Sequence, residues 1–378
     1  MDNFFNFNDK TMKIIVLGGA GDMGSNIVRF LNESKEVDEV HIGDINKEKG
    51  EKLAKELGEK CKYVQVNAKR HDELVKTLKQ YELVASALGP FYEFGPLIAK
   101  AAIDAKVSLF DICDDFDAAE KILEYNEEAK KQGITIITGI GWTPGLSNLL
   151  AKYAYEKLEG AKKIRIFWVG SAADSKGLAV IMHLLYAITA KVPMFKNKEK
   201  VFVEAGSGRE EVEYPEPIKK AFVYYTGHPE PVTIPKFLEG VEEVEVKGGL
   251  IPDWQNKLGK FFVKLHLTNT ASRRRRLSKF LHSIEDVFRS GGIECSAARV
   301  DVYKQNAKIT LAVADRMGKL TAIPIAVACE LYAKGKINEK GCFAPEGILN
   351  AKETLKAISF KGIKIFEYKE GWNELIFD

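Results

Sequence analysis

Long apolar runs, paired cysteines and an excess of one charge are all missing from this chain, and each absence removes a class of protein. No segment approaches the length of a membrane-spanning helix, so no membrane partner is expected. The stretch Met1-Asp2-Asn3-Phe4-Phe5-Asn6-Phe7-Asn8 lacks the basic n-region and apolar core of a signal peptide. A mobile tail or a short surface contact is expected there, in a cytoplasmic protein. The five cysteines, Cys61, Cys113, Cys295, Cys329 and Cys342, are odd in number, dispersed and without a CxxC pair, which reads as reduced thiols and not as a disulfide framework or zinc site. With 56 basic against 53 acidic residues the net charge is +3, so no nucleic-acid footprint is present. The one basic run, Arg273-Arg274-Arg275-Arg276, begins a helical pattern reaching about Ser290 and reads as a solvated face. No two histidines have metal-ligand spacing and no Gly-x-Ser-x-Gly elbow occurs, so no metal is expected.

What the chain does contain is length enough for two domains, 378 residues, and one strongly organised motif. Lys13-Ile14-Ile15-Val16-Leu17 reads as a buried strand. Gly19-Ala20-Gly21-Asp22-Met23-Gly24 reads as a tight turn into a helix, and a second strand ends on Asp44. Strand, glycine turn, helix and an acid at this distance form the dinucleotide fingerprint in its required context. Gly19 permits the turn, Gly21 admits backbone N–H groups to a pyrophosphate, and Gly24 lets the helix pack close on the strand. Asp44 is placed to accept hydrogen bonds from ribose hydroxyls and to repel a 2′-phosphate, which favours NAD, with NADP as the alternative because Lys47 and Lys49 follow closely.

Strands and helices alternate onward. Strands are expected at 63–66, 83–87, 108–112 and 134–138, with helices at 47–57, 72–79, 94–105 and 116–132. This is an α/β doubly wound parallel sheet with expected strand order 3-2-1-4-5-6. From about Lys163 the texture changes to half-buried strands. One hairpin is expected around Ala205-Gly206-Ser207-Gly208-Arg209 and another around Gln305-Asn306, giving a second, α+β domain with a mixed sheet, and a helix is expected from Leu320 to about Lys334.

Ligands of a doubly wound sheet lie beyond the carboxyl ends of its strands. There the chain places Ala87-Leu88-Gly89-Pro90-Phe91-Tyr92, Asp111-Ile112-Cys113-Asp114-Asp115 and Gly139 to Asn148; Ala87, Leu88, Gly89, Gly141 and Trp142 offer backbone for a nicotinamide ring. Asp114 reads either as a proton-exchanging or ammonium-binding acid or, with Asp115, as the N-cap of the following helix. Tyr92 reads as a donor to a substrate carboxylate or as core packing. Three neighbouring acids would suppress a Cys113 thiolate, so that residue reads as structural. His183, inside an apolar helical stretch, reads as a packed histidine with a cleft acid or base as the alternative. His228, in the loop Thr226-Gly227-His228-Pro229, is the stronger candidate base.

At Gly89-Pro90-Phe91-Tyr92, Asp111 to Asp115, Gly141-Trp142-Thr143-Pro144-Gly145-Leu146-Ser147-Asn148, Leu320 to Pro324 and Ala344-Pro345-Glu346 the chain resembles the saccharopine dehydrogenase-like family. The resemblance implies a Rossmann domain over residues 1–145, a substrate and dimerisation domain over 146–318, and a C-terminal segment, 319–378, that returns to the first domain. It also implies NAD(P)-dependent hydride transfer at a carbon–nitrogen bond of an amino acid or its imine; separately, a homodimer formed through the second-domain sheet is expected. Saccharopine-type members place an aspartate before the proline where this chain has Thr143, which separates it from saccharopine as the expected substrate. A dicarboxylate amine would need cationic donors, for which Arg209, Arg299 and Arg316 are the candidates. Two other readings remain: a catalytically silent coenzyme-binding regulator, and a dehydrogenase of carbon–oxygen bonds.

Overall fold

The computed structural model describes residues 11–174, 177–289 and 292–377; the N-terminal octapeptide discussed above lies outside them. Six apolar runs form β1 (Lys13–Leu17), β2 (Glu39–Asp44), β3 (Cys61–Gln65), β4 (Leu83–Ser86), β5 (Ser108–Asp111) and β6 (Thr135–Ile137). Between them lie α1 (Asp22–Glu33), α2 (Lys47–Leu57), α3 (His71–Leu78), α4 (Phe91–Ala105), α5 (Phe116–Glu124) and α6 (Asn126–Gln132). The central strands β1, β4 and β5 are buried on both faces because helices cover both faces of the sheet, as parallel pairing requires, whereas the edge strand β3 is largely part-exposed; Ile14, Ile15, Val16 and Leu17 are all buried. The order in the sheet is β3-β2-β1-β4-β5-β6, as the alternation predicts. The single helix expected over 116–132 is two, because the chain turns out of helical geometry at Tyr125.

The second half comprises α7 (Leu146–Lys157), β7 (Lys163–Ser171), α8 (Leu178–Ala187), β8 (Lys191–Lys196), β9 (Glu199–Glu204), β10 (Glu210–Glu213), β11 (Lys220–Tyr225), α9 (Glu230–Phe237) and β12 (Glu243–Ile251). It continues through α10 (Trp254–Lys264), α11 (Ala271–Ser283), α12 (Glu285–Arg289), β13 (Ser296–Lys304) and β14 (Ala307–Asp315). The chain then runs through α13 (Met317–Ala333), β15 (Gly341–Phe343), α14 (Pro345–Ile348), α15 (Ala351–Phe360), β16 (Ile365–Tyr368) and β17 (Trp372–Glu374). The second sheet is mixed, in the order β10-β11-β12-β7-β13-β14-β16-β17, with β8 and β9 attached beside β12.

Two expectations need correcting. The strands either side of Ala205–Arg209 do not pair with each other: β9 pairs with β8 and β10 with β11. The tight turn is instead Asn197-Lys198, both with positive φ, the geometry a two-residue hairpin demands. The glycine-rich segment bonds β11, through Gly206 N–H to the Tyr225 carbonyl at 2.8 Å. Nor is the arginine run a solvated face throughout. Arg274 is buried, its guanidinium 5.0 Å over the Tyr186 ring and donating to the Thr268 carbonyl at 2.8 Å. The other three arginines are exposed.

The last segment completes both sheets. β15 adds to β6 in parallel as a seventh strand of the first sheet, and β16 pairs with β14 at the far side of the second. No helix among the described residues is long and apolar enough to cross a membrane.

Candidate active site

The glycine turn is sterically committed. A Cβ on Gly24 would lie 2.1 Å from the Gly18 carbonyl oxygen, so only glycine lets α1 start this close to β1. Gly21, at the N-cap, supplies no side-chain oxygen to the first turn, which leaves the positive end of α1 for an anion. Asp44 locks the turn from β2: its Oδ2 accepts the Ala20 N–H at 3.1 Å and its Oδ1 the Asn46 N–H at 2.9 Å. Ala87 and Leu88 press against Gly18, and Gly89 leads into α4 through a cis bond to Pro90. These residues fit a dinucleotide by shape: a glycine cradle, a helix N-terminus and an acid at the rim of β2.

Beyond the strand ends lies a cavity of about 250 Å³. Met23 of α1 and Gly141, Trp142 and Thr143 of the loop after β6 wall it from the first domain; Trp168 of β7, His183 of α8 and His228, before α9, wall it from the second.

His183 is the charged centre. Its Nδ1 lies 3.0 Å from Asp115 Oδ1 and 3.3 Å from Asp114 Oδ1. Burial opposes a charged imidazole, but the Asp114 and Asp115 carboxylates outweigh it and hold His183 up at about 9. Burial, opposed by His183 and reinforced by Asp115, pushes the Asp114 carboxyl up. Three ligand-type atoms, one each from Asp114, Asp115 and His183, lie within 4.8 Å of one another, a grouping that could hold a cation.

The capping role expected of this acid pair falls elsewhere. Asp115 is the N-cap residue of α5 by position, yet its side chain does not cap that helix. Its Oδ2 accepts the Tyr92 N–H at 2.8 Å, an orphan donor in the first turn of α4. Asp111 is structural: one oxygen accepts Cys113 N–H, Thr138 Oγ1 and Gly139 N–H at 2.9, 2.9 and 3.0 Å, and burial raises its carboxyl to about 6. Cys113 is fully buried with its thiol pushed far up by burial and the acids around it.

His228 is buried with neither ring nitrogen hydrogen-bonded, 5.3 Å ring to ring from His183. Burial and the charge on His183 hold it neutral. Behind it, Glu230 accepts from Thr143 Oγ1 at 2.7 Å and Ser147 Oγ at 2.8 Å, and Asn148 Nδ2 donates to Glu346 at 2.9 Å. Burial pushes Glu230 up and Glu346 up to about 7. The loop of the sixth strand is thus pinned to α9 and α14 by side chains whose roles no local pattern announces.

Tyr92 does not line the cavity. Its ring packs 4.6 Å from Tyr186 and its hydroxyl is buried without a partner. The three candidate arginines are also absent from the wall: Arg209 lies over Phe222 near Asp253, Arg299 pairs with Asp301, and Arg316 pairs with Glu294.

Because His183 is held above its ordinary 6.5, its charge stabilises the fold fully below that value and ceases to as pH rises through about 9. Thermal melts of wild type and His183→Gln are therefore expected to converge between about pH 6.5 and 9, the wild type losing more. Parallel curves would remove the ion pair from the stability of the fold.

The glycine cradle and the cleft beyond it define a nicotinamide-dinucleotide-binding protein. Residues 14–137 match the family model described as saccharopine dehydrogenase NADP binding domain. In sequence, 140 residues are 24% identical to "Lipid droplet localized protein" of Caenorhabditis elegans, covering 34% of this chain and 33% of that one. A further match, 27% over 147 residues, is to mitochondrial alpha-aminoadipic semialdehyde synthase of Rattus norvegicus, covering 39% of this chain and 15% of that one. The matched stretch thus spans a third or less of these relatives. In structure, saccharopine dehydrogenase (L-Glu forming) from Saccharomyces cerevisiae superposes with a TM-score of 0.69 at 14% identity, covering 95% of this chain and 100% of that one. Residues 14–137 are thus similar to the coenzyme-binding domain of that family, and the likeness to the yeast enzyme, one of fold alone, extends over nearly the whole chain.

Proposed function

We propose that the protein is an NAD(P)-dependent dehydrogenase acting on a carbon–nitrogen bond, an amine in one direction and its imine in the other. The observation that carries this reading is the Asp114–His183–Asp115 group with His228 beside it, free of hydrogen bonds and 3.6 Å from Glu230 Oε2, in a cavity whose wall includes the helix of the glycine turn. A bound nicotinamide coenzyme supplies the two-electron hydride acceptor or donor. Oxidation of an ammonium-bearing CH carbon releases one hydride and one proton and leaves a cationic iminium. The Asp114 and Asp115 carboxyl oxygens around His183 make this end of the cavity rich in acceptors, which suits a cation better than the alkoxide of a carbon–oxygen reaction. Asp114, half-buried and raised, is placed to take the ammonium proton, and neutral His228 to hold a water that attacks the iminium carbon. Yeast saccharopine dehydrogenase, alike in fold, is named for chemistry of this type.

The test is a screen of amines, and of 2-oxoacid plus amine pairs, read at the NADH absorbance, with NADH carrying deuterium at C4. Label appearing in an amine product supports the reading. Coenzyme binding without label transfer to any imine would identify a regulator, and label in alcohols alone a carbon–oxygen dehydrogenase.

The same reading includes a preference for NAD. The Asp44 carboxylate at the end of β2 is anchored by two backbone N–H groups and faces the turn that would hold the adenosine ribose. Asp44→Ala is expected to weaken NAD binding by on the order of tenfold, the worth of a charge-assisted hydrogen bond, and to spare NADP. Calorimetric titration of both coenzymes checks this; an unchanged ratio would dissociate Asp44 from coenzyme choice.

A further inference from the structure

We infer that the substrate carries its reacting nitrogen on apolar, carboxylate-free substituents: an alkyl or arylalkyl amine, or the matching imine, and not a dicarboxylate amine. This rests on the carbon–nitrogen reading above and adds a substrate class to it.

Most of the cavity wall is apolar. On α8, Val180, Ile181 and Leu184 recur at helical spacing and, with Ile188 at its C-cap, line the same cavity as His183. Opposite, Leu258 and Phe262 come from consecutive turns of α10, and Leu281 and Phe288 from α11 and α12. Such a surface recognises hydrocarbon, each buried methylene adding about fourfold in affinity.

Cationic groups are scarce where a carboxylate would need them. Among the described residues, the charged side chains lining the cavity besides His183 are Asp114, Glu285 and Lys260. Lys260 holds its Nζ 5.0 Å over the Tyr224 ring. Among the described residues no arginine lines the wall: Arg209, Arg299 and Arg316 are committed to Asp253, Asp301 and Glu294, Arg274 to the Thr268 carbonyl, and Arg289 donates to the Ala173 carbonyl. A substrate with two carboxylates would meet Asp114 and Glu285, with Lys260 and a His183 imidazolium already paired to Asp114 and Asp115 as the cations facing it, and would bury charge poorly matched. An ammonium on a hydrocarbon meets Asp114 at one end and the apolar helices at the other.

The test uses the full chain with NAD and measures kcat/KM for linear primary amines from propyl to octyl, phenethylamine, glutamate and saccharopine. The expected result is a rise of about fourfold per methylene, with the dicarboxylates on the order of 100-fold below the best amine. A flat series, or a preference for glutamate or saccharopine, overturns the inference. Leu258→Arg, at a half-exposed site, is expected to lower the octylamine value about tenfold or more and to raise that of 6-aminohexanoate; an unaltered ranking in the folded variant counts against it. If no amine is turned over, calorimetry on the NADH-bound protein separates the two ideas. Octylamine binding more tightly than saccharopine, with the same gain per methylene, upholds the ligand class while the carbon–nitrogen reaction fails. Tighter saccharopine, or no binding of either, overturns the ligand class.

Discussion

Asp114→Asn is expected to lower turnover by about 10²–10⁴-fold, the usual contribution of a positioned proton-transfer group, and to reduce stability far less than it reduces turnover. The side chain is half-buried, lines the cavity, and holds no helix terminus whose loss would loosen the fold. Asparagine keeps its volume and relieves the burial that raises the carboxyl, which offsets part of the lost attraction to His183. Asp115→Asn is the informative contrast. That carboxylate is fully buried and joins the start of α4 to α8 through Tyr92 N–H and His183, so its replacement costs stability as well as turnover. Steady-state rates and thermal melts of both variants decide the matter. Near-normal turnover in Asp114→Asn would move proton transfer to His228.

Gly21→Val is expected to abolish coenzyme binding and leave the apo protein folded. Gly21 has φ of −78°, a conformation open to any residue, and a Cβ there would meet only the Gly18 carbonyl oxygen at 3.1 Å. The rest of a valine side chain would project into the space over the α1 N-terminus that a pyrophosphate needs. Wild type in a hundredfold excess of NAD over Kd should gain about 2.7 kcal/mol, and the variant none. If NAD still protects Gly21→Val, the turn serves the fold alone. Gly24→Ala is no substitute for this experiment, because its methyl would collide with backbone and displace the helix itself.

The first sheet was legible because each of its strands is an apolar run ended by a turn, and the glycines with Asp44 fixed its polarity. β15 was not, since three residues, Gly341-Cys342-Phe343, carry no periodicity and gain their partner from a strand far upstream. The glycine-rich 205–209 stretch attracted a hairpin reading that belongs to Asn197-Lys198, where the side chains hide the positive φ that glycine advertises. In the site, the loop acids and His228 stood at readable places, beyond strand ends or in a loop with no packing demand. His183 had a packed reading open to it because its neighbours on α8 are apolar; the carboxylates that charge it lie 68 residues away for Asp115, beyond any local pattern. The arginines misled for the converse reason. Charge and domain were right, but each side chain is neutralised by an acid outside the cavity.

The pairing of β15 with β6 gives synthesis of this protein an order of events. β6 ends at Ile137 and its outer neighbour begins at Gly341, so about 200 residues must leave the ribosome before that edge is covered. At ordinary translation speeds this takes roughly 10–40 s. Throughout that interval the nascent first sheet presents an apolar edge with open N–H and C=O groups, the feature most prone to pair with a neighbouring chain. The nucleotide-binding half is therefore the first to be made and among the last to be closed, and the growing chain has greatest need of chaperone cover while its second sheet is still being translated.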